Sequence, residues 1–353
     1  MSRFFSKKYS SLSAYVPGEQ PKDMKYIKLN TNESPFPVSE HVVEAAAKGA
    51  ENINLYSDPE CTLLREKMAK TFAVGKENIL MTNGSDEALN FAFMAFCDKD
   101  HPIVFPDITY GFYPVFAELN FLPFEQIPLG EDFRIRTEDY IGINKNIVIA
   151  NPNAPTGICL TIAEIERIVS SNPENVVIID EAYVDFGAES AIPLTGKFNN
   201  LLVVGTFSKS RSMAGARLGF VIGNEELIKD LNTIKYSTNP YNVNRMTAAA
   251  GVAMLEENDR RIELCRQIAE TREKTKTALE KLGFFVTDSK ANFLFAKSEK
   301  ISGEKLYLEM KKRGVLIRHF SSPKIKDFNR ITIGSEEQMK IFLDKVEEIL
   351  KEI

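Results

Sequence analysis

The sequence is poor in residues that build covalent or metal-held frameworks. Its four cysteines, Cys61, Cys97, Cys159 and Cys265, lie far apart among 353 residues, with no C-x-x-C pair. That excludes a disulfide framework and makes reduced thiols, and so a cytoplasmic setting, the expectation. The three histidines, His41, His101 and His319, are equally scattered, so no structural zinc site is expected and no metal is assigned. No apolar run reaches the roughly 18 residues a membrane helix needs. Met1 to Ser13 mixes Arg3, Lys7 and Lys8 with serines and lacks an apolar centre, so no signal peptide is expected. Neither sign of charge dominates: 44 basic residues stand against 49 acidic ones, a net charge of -5. The signs are interspersed without a basic stripe, which argues against nucleic acid as a partner. Low-complexity tracts are absent, and the 44% hydrophobic content is that of a globular chain rather than a disordered one.

What is present is an alternation of short apolar runs with helical patterns. Ile79–Met81, Ile103–Phe105, Ile147–Ile149, Val176–Ile179, Leu201–Val204 and Phe220–Ile222 read as buried strands. Helical stretches follow several of them, from Ser85, Gly111, Thr161 and Glu225. Continuous Val/Ile/Leu strands separated by helices predict an α/β fold with a mostly parallel central sheet covered on both faces. After about Asn244 the texture changes to a long charged helix over Glu257–Leu282, followed by four short strands and two helices. This predicts a smaller α+β C-terminal domain over 244–353, after a large domain over 35–243.

The polar groups that carry chemistry cluster where strands end, which is where ligands collect in such sheets. After Leu201–Val204 comes Thr206-Phe207-Ser208-Lys209, then Ala214-Gly215-Ala216-Arg217. Lys209 can form a Schiff base, while Thr206, Ser208 and Arg217 can grip a phosphate. Asp180 ends the strand Val176–Ile179, and a carboxylate buried there needs a partner such as a protonated ring nitrogen. Asn153 lies in the turn Asn151-Pro152-Asn153-Ala154-Pro155-Thr156-Gly157. Ser85 and Asp86 open a helix whose N-terminal amides attract phosphate. Tyr110 is placed to stack on an aromatic ring. Taken singly, each segment also reads as an ordinary turn, cap or ion pair. Jointly they suit one aromatic aldehyde phosphate.

The segments G-S-D-E at 84–87, N-P-N-x-P-T-G at 151–157, D-E-A-Y at 180–183 and S-K-x5-G-x-R at 208–217 resemble the fold-type-I pyridoxal-phosphate aminotransferases of class I/II. The resemblance spans nearly the whole chain. It is strongest to the histidinol-phosphate aminotransferase branch, through Leu29-Asn30-Thr31-Asn32-Glu33-Ser34-Pro35 and Tyr56-Ser57-Asp58-Pro59. It implies pyridoxal phosphate held by Lys209, with Asp180 on the pyridine nitrogen and Asn153 and Tyr183 on the ring's 3-oxygen. Ser85, Asp86, Thr206, Ser208 and Arg217 would surround the cofactor phosphate, and Tyr110 would stack on the ring. Tyr56 would reach the cofactor phosphate of a neighbouring subunit, making a homodimer part of the expectation, with residues 1–34 as an arm for the small domain and the dimer. One departure is Ala154, where the family often has asparagine.

The implied activity is ping-pong transamination between an amine and a 2-oxo acid, with Lys209 moving the proton. In this branch Tyr15, Arg318 and Arg330 would bind the substrate, the arginine pair holding a phosphate. Asn292 also matches the family, without an assigned role. A threonine-phosphate decarboxylase and an aromatic-amino-acid aminotransferase share these features and stay open. A non-catalytic cofactor-binding regulator is disfavoured, since the segment before Asn30 is too short and insufficiently basic for a DNA-binding domain.

Overall fold

The structure is a computed structural model and describes residues 2–10, 12 and 14–352. Strand β1 is Ile27–Lys28, followed by β2 (Ile79–Thr82), β3 (Ile103–Pro106), β4 (Phe124–Ile127), β5 (Asn146–Ala150), β6 (Val177–Asp180), β7 (Leu201–Thr206) and β8 (Gly219–Gly223). The C-terminal third adds β9 (Phe284–Val286), β10 (Phe293–Ser298), β11 (Val315–Leu316), β12 (Arg318–His319) and β13 (Phe328–Thr332). A seven-stranded sheet runs in the order β2-β8-β7-β6-β5-β3-β4. Its pairings are parallel except those of β8, which is antiparallel to both neighbours. Both faces of β5, β6 and β7 are buried, which is why these strands read as unbroken apolar runs.

Two apolar layers cover the sheet. One packs Ile147, Ile149, Ile179 and Val203 against the helices Thr62–Phe72 and Ile162–Ser171. The other packs Val148, Ile178, Leu202 and Val204 against the helix Gly84–Phe96. Side chains of one strand alternate between the layers, as a pleat requires. The helix Ile162–Ser171 begins with a capping box between Thr161 and Glu164.

A four-stranded sheet, β12-β13-β10-β9, forms a separate core with the helices Asn258–Lys281, Gly303–Lys312 and Glu336–Lys351. The N-terminal segment joins this part: β1 pairs in parallel with β11, and Leu29 is fully buried in the same core. The helix Arg245–Glu256, in contrast, buries Ala250, Ala253 and Met254 in the large-sheet core. The boundary expected at 244 therefore falls one helix early, and we place it beyond Glu256. Small residues on that helix let it lie close against Glu40–Ala50, a contact that a change of texture along the sequence does not reveal.

Candidate active site

The strand ends converge on one cleft of about 320 Å³. Ser85 and Asp86, Tyr110, Asp180, Tyr183, Thr206, Ser208, Lys209 and Arg217 all line it. These are nine of the residues picked from the sequence, brought together from segments scattered between Ser85 and Arg217. The volume lies at the lower end of the range for small-molecule sites, roughly 300–1,000 Å³.

Lys209 is the amine of the cleft. Its Nζ donates to the carbonyl of Thr31 at 3.2 Å and lies 5.9 Å from the centre of the Tyr183 ring. Burial lowers its pKa from 10.5 to about 8; Arg330 and Arg217 push the same way, against Glu33 and Asp86. Roughly a tenth of the amine is therefore neutral and nucleophilic at pH 7, far more than for a lysine at its ordinary value.

Asp180 ends β6 and is buried. Its Oδ2 accepts from the Tyr113 hydroxyl at 2.9 Å and its Oδ1 from the Ala182 backbone N–H at 3.2 Å. Burial pushes the carboxyl up to about 6, opposed by these two hydrogen bonds and by Lys209. A cation against this carboxylate would hold it ionised.

The opposite end of the cleft is built for an anion. Gly84 starts the helix Gly84–Phe96 at φ +76°, and a Cβ there would lie 2.5 Å from Nη2 of Arg217. Gly219 is equally constrained, since its Cβ would lie 2.4 Å from the carbonyl carbon of Gly84. The Asn83 side chain does not cap this helix, so the first-turn amides stay available. Arg217 donates to Asp86 at 3.1 Å, and Tyr110 donates to the other oxygen of Asp86 at 2.7 Å. The hydroxyls of Thr206 and Ser208 are 3.0 Å apart.

Arg318 and Arg330 stand outside the lining of this cleft, directly opposite each other on β12 and β13. Side chains so paired share one face about 4.5–5.5 Å apart, and like charges there repel. Neither guanidinium has a carboxylate partner among the described residues. Arg330 donates to the carbonyl of Asn30 at 3.0 Å, and its buried Nε has no partner. Arg318 donates to the carbonyls of Pro17 and Val16, at 3.4 Å each, and lies 5.9 Å from the centre of the Phe320 ring. Tyr15, just before them, packs its ring 4.3 Å from that of Phe112.

Besides Tyr15, Arg318 and Arg330, two residues expected at the cofactor are not in the lining of the cleft, Asn153 and Tyr56. Asn153 spends its amide elsewhere: Nδ2 donates to the Ile108 carbonyl at 2.9 Å and to Thr156 at 3.2 Å, while Oδ1 accepts from Thr109 at 2.7 Å. The next residue, Ala154, lines the cleft instead. Asn153 thus closes its own loop in this structure, and Ala154 is the residue of the turn that lines the cleft. Tyr56 is 78% exposed and stacks on Tyr241 at 4.4 Å, away from the cleft of its own chain.

Sequence reasoning missed Tyr113, Asn32 and Glu33. Tyr113 follows Tyr110 by three residues at a helix start, a spacing that puts both on one side. Asn32 and Glu33 lie in the N-terminal segment, and nothing local points them to a lysine nearly 180 positions away.

Residues 24–346 match the sequence family described as aminotransferase class I and II. The histidinol-phosphate aminotransferase of Brachyspira hyodysenteriae is 49% identical over 99% of this chain and 100% of its own. That of Clostridium acetobutylicum is 43% identical over 99% of this chain and 100% of its own. Among solved structures, the histidinol-phosphate aminotransferase of Sinorhizobium meliloti, in complex with pyridoxal-5'-phosphate, superposes with a TM-score of 0.85. It covers 93% of this chain and 92% of that one, and at 21% identity the likeness speaks to the fold alone. The chain belongs to the class I and II aminotransferases.

Proposed function

We propose that this chain is a pyridoxal-phosphate-dependent transaminase that takes the amino group from histidinol phosphate and passes it to 2-oxoglutarate, in two half-reactions. The observation that carries the substrate class is the Arg318–Arg330 pair, two arginines opposite one another on adjacent strands, neither with a carboxylate partner among the described residues. Such a pair suits a dianionic phosphate bound through several N–H donors. The full-length relatives bearing the histidinol-phosphate name support the same substrate.

The cleft fits the cofactor on three counts: a partly neutral amine at Lys209, a buried carboxylate at Asp180, and a glycine-opened helix start beside Arg217. Lys209 would hold the aldehyde, Asp180 the pyridine nitrogen, and Tyr110 the ring face. The amides of Ser85 and Asp86, with Thr206, Ser208 and Arg217, would hold the phosphate. When bound, the cofactor supplies an electron sink for the pair left by breaking the substrate's Cα–H bond. Lys209, once displaced by the incoming amine, takes that proton and returns it one atom along, a task suited to an amine titrating near 8. Asp180 would keep the ring nitrogen protonated, held in place by its hydrogen bonds from Tyr113 and the Ala182 N–H. Tyr183 would serve the ring oxygen, Arg318 and Arg330 would anchor the far end of the substrate, and Tyr15 would close over it.

A homodimer completes this reading, with Tyr56 reaching the cofactor phosphate of a second copy. Its support is the exposure of Tyr56, Ile53, Leu55 and Leu63 beside an apolar groove of about 530 Å³ lined by Ala45, Ala248, Ala249 and Val252. Free thiols at all four cysteines suit a cytoplasmic setting.

The deciding experiment is a half-reaction on the cofactor-loaded protein, with L-histidinol phosphate, L-phenylalanine and L-threonine phosphate added separately. Histidinol phosphate is expected to convert the cofactor absorbance to that of the aminated form, and 2-oxoglutarate to restore it. Arg318→Gln should raise KM for histidinol phosphate by about 10–100-fold, the worth of a charge-assisted bond. Conversion with phenylalanine alone would make this an aromatic aminotransferase. Release of carbon dioxide from threonine phosphate would make it a decarboxylase.

A further inference from the structure

With Asn153 turned into its own loop and Ala154 facing the cleft, no asparagine amide faces that wall from this loop. Tyr183 is then the hydroxyl left to serve a ring oxygen there. A phenol oxygen carries one hydrogen and accepts through its lone pairs, so its usefulness depends on which way that hydrogen points. We propose that Asn32 and Thr332 are positioning residues that force the Tyr183 hydroxyl to donate into the cleft, toward the ring oxygen of the bound cofactor. This rests on the cofactor reading above and adds to it the device that orients the donor.

The direction propagates from a group that cannot reverse. The backbone N–H of Asn32 can only donate, and it donates to Thr332 Oγ1 at 3.0 Å. The single hydrogen of that hydroxyl is then free to go to Asn32 Oδ1, at 2.9 Å. With the oxygen end of the amide so occupied, Nδ2 faces Tyr183 and donates to its Oη at 3.0 Å. Tyr183 accepts there, and its own hydrogen has no acceptor among the described residues. The ring of Tyr183 lies beside Lys209 in the cleft wall.

The relay is rigid. Asn32 and Thr332 are buried, and Asn32 sits at φ +56°, a left-handed conformation that asparagine tolerates better than most residues. Nδ2 of the buried Asn292 donates to the Asn32 carbonyl at 3.0 Å and fixes the backbone, which gives Asn292 a place in the relay. The preceding residue, Thr31, offers the carbonyl that receives Lys209. One turn of the N-terminal segment thus orients both the amine and the phenol. Burial also keeps the Tyr183 phenol above its usual pKa, hence protonated and able to donate.

The test is a pH titration of the visible absorbance of the loaded enzyme. A hydrogen bond to the ring oxyanion favours the deprotonated chromophore and lowers its midpoint. Thr332→Val removes the group that directs the amide and should raise the midpoint by roughly half to one pH unit. Thr332→Ser keeps the hydroxyl and should leave the midpoint at the wild-type value. If Thr332→Val does not fold, Asn32→Asp reports instead: its carboxylate accepts from Tyr183, turns the hydrogen away, and should also raise the midpoint. On a Tyr183→Phe background, Thr332→Val should move the midpoint no further, a result that a merely structural role would not produce. Unchanged midpoints in both Thr332→Val and Asn32→Asp, or an equal shift on the Tyr183→Phe background, would overturn the inference while leaving the transaminase reading intact. A wild-type protein that holds no lysine-linked chromophore would overturn both.

Discussion

Two adjacent carboxylates at the end of β6 show how burial divides labour between neighbours. Asp180 faces the cleft; Glu181 points behind it and accepts from Ser190 Oγ at 2.6 Å and from the Ala191 N–H at 2.5 Å. Burial raises Glu181 from 4.5 to about 8. The sign for stability follows from linkage: a raised pKa contributes stability that is fully present below 4.5 and is lost as pH rises through about 8. Glu181→Gln keeps an acceptor for Ala191 and removes the titration. Melting curves from pH 5 to 9 should therefore show the wild type losing stability on the order of a few kcal/mol more than the variant. Identical pH dependence in the two proteins would contradict this. Asp180 and Lys209 were picked from the sequence because each follows a buried strand and several such strand ends jointly suited one ligand; singly, an ion pair or a surface lysine explained them as well. Asn32 and Thr332 were not, because their pairing joins residues 300 positions apart and only the fold brings them together.

At the scale of elements, the anion end of the cleft depends on how closely a helix start, a loop and β8 approach one another. Gly84 permits both the positive φ and the approach of Arg217. Gly84→Ala should cost about 1–2 kcal/mol of stability through strain alone. It should also weaken cofactor binding by an order of magnitude or more, because the Cβ displaces Arg217. Equilibrium titration of the apoprotein with pyridoxal phosphate measures this, and an unchanged Kd would show that the cradle lies elsewhere. The buried strands of the large sheet were readable as β-branched runs. The edge strand β4, Phe-Glu-Gln-Ile, was not, because its two central residues are exposed and it lacks a run. That Ala154 rather than Asn153 lines the cleft has a related cause. Pattern places the turn at the end of β5, but which of two adjacent side chains faces the ligand depends on loop geometry that pattern does not encode.

At the scale of the whole molecule, Tyr56 raises the question of how many chains make one site. Its backbone carbonyl accepts from Arg245 at 2.6 Å, and Asp58, two residues on, accepts from the N–H of Thr62 at 2.7 Å. The loop is thus held firmly while its tyrosine, 78% exposed, serves nothing within its own chain's cleft. A two-fold axis would use such a residue twice, once in each site. The arrangement makes a sharp prediction for mixed dimers. Lys209→Ala should be inactive, losing at least the 10²–10⁴-fold that positioned proton transfer contributes, roughly. Tyr56→Ala should bind the cofactor weakly. Co-refolding the two variants in equal amounts should restore about a quarter of the sites, because half the dimers are mixed and each has one intact site. In that site Lys209 comes from one chain and Tyr56 from the other. If Tyr56 acted within its own chain, no combination of these two variants could rebuild a complete site, and the mixture would be no more active than the average of its parts.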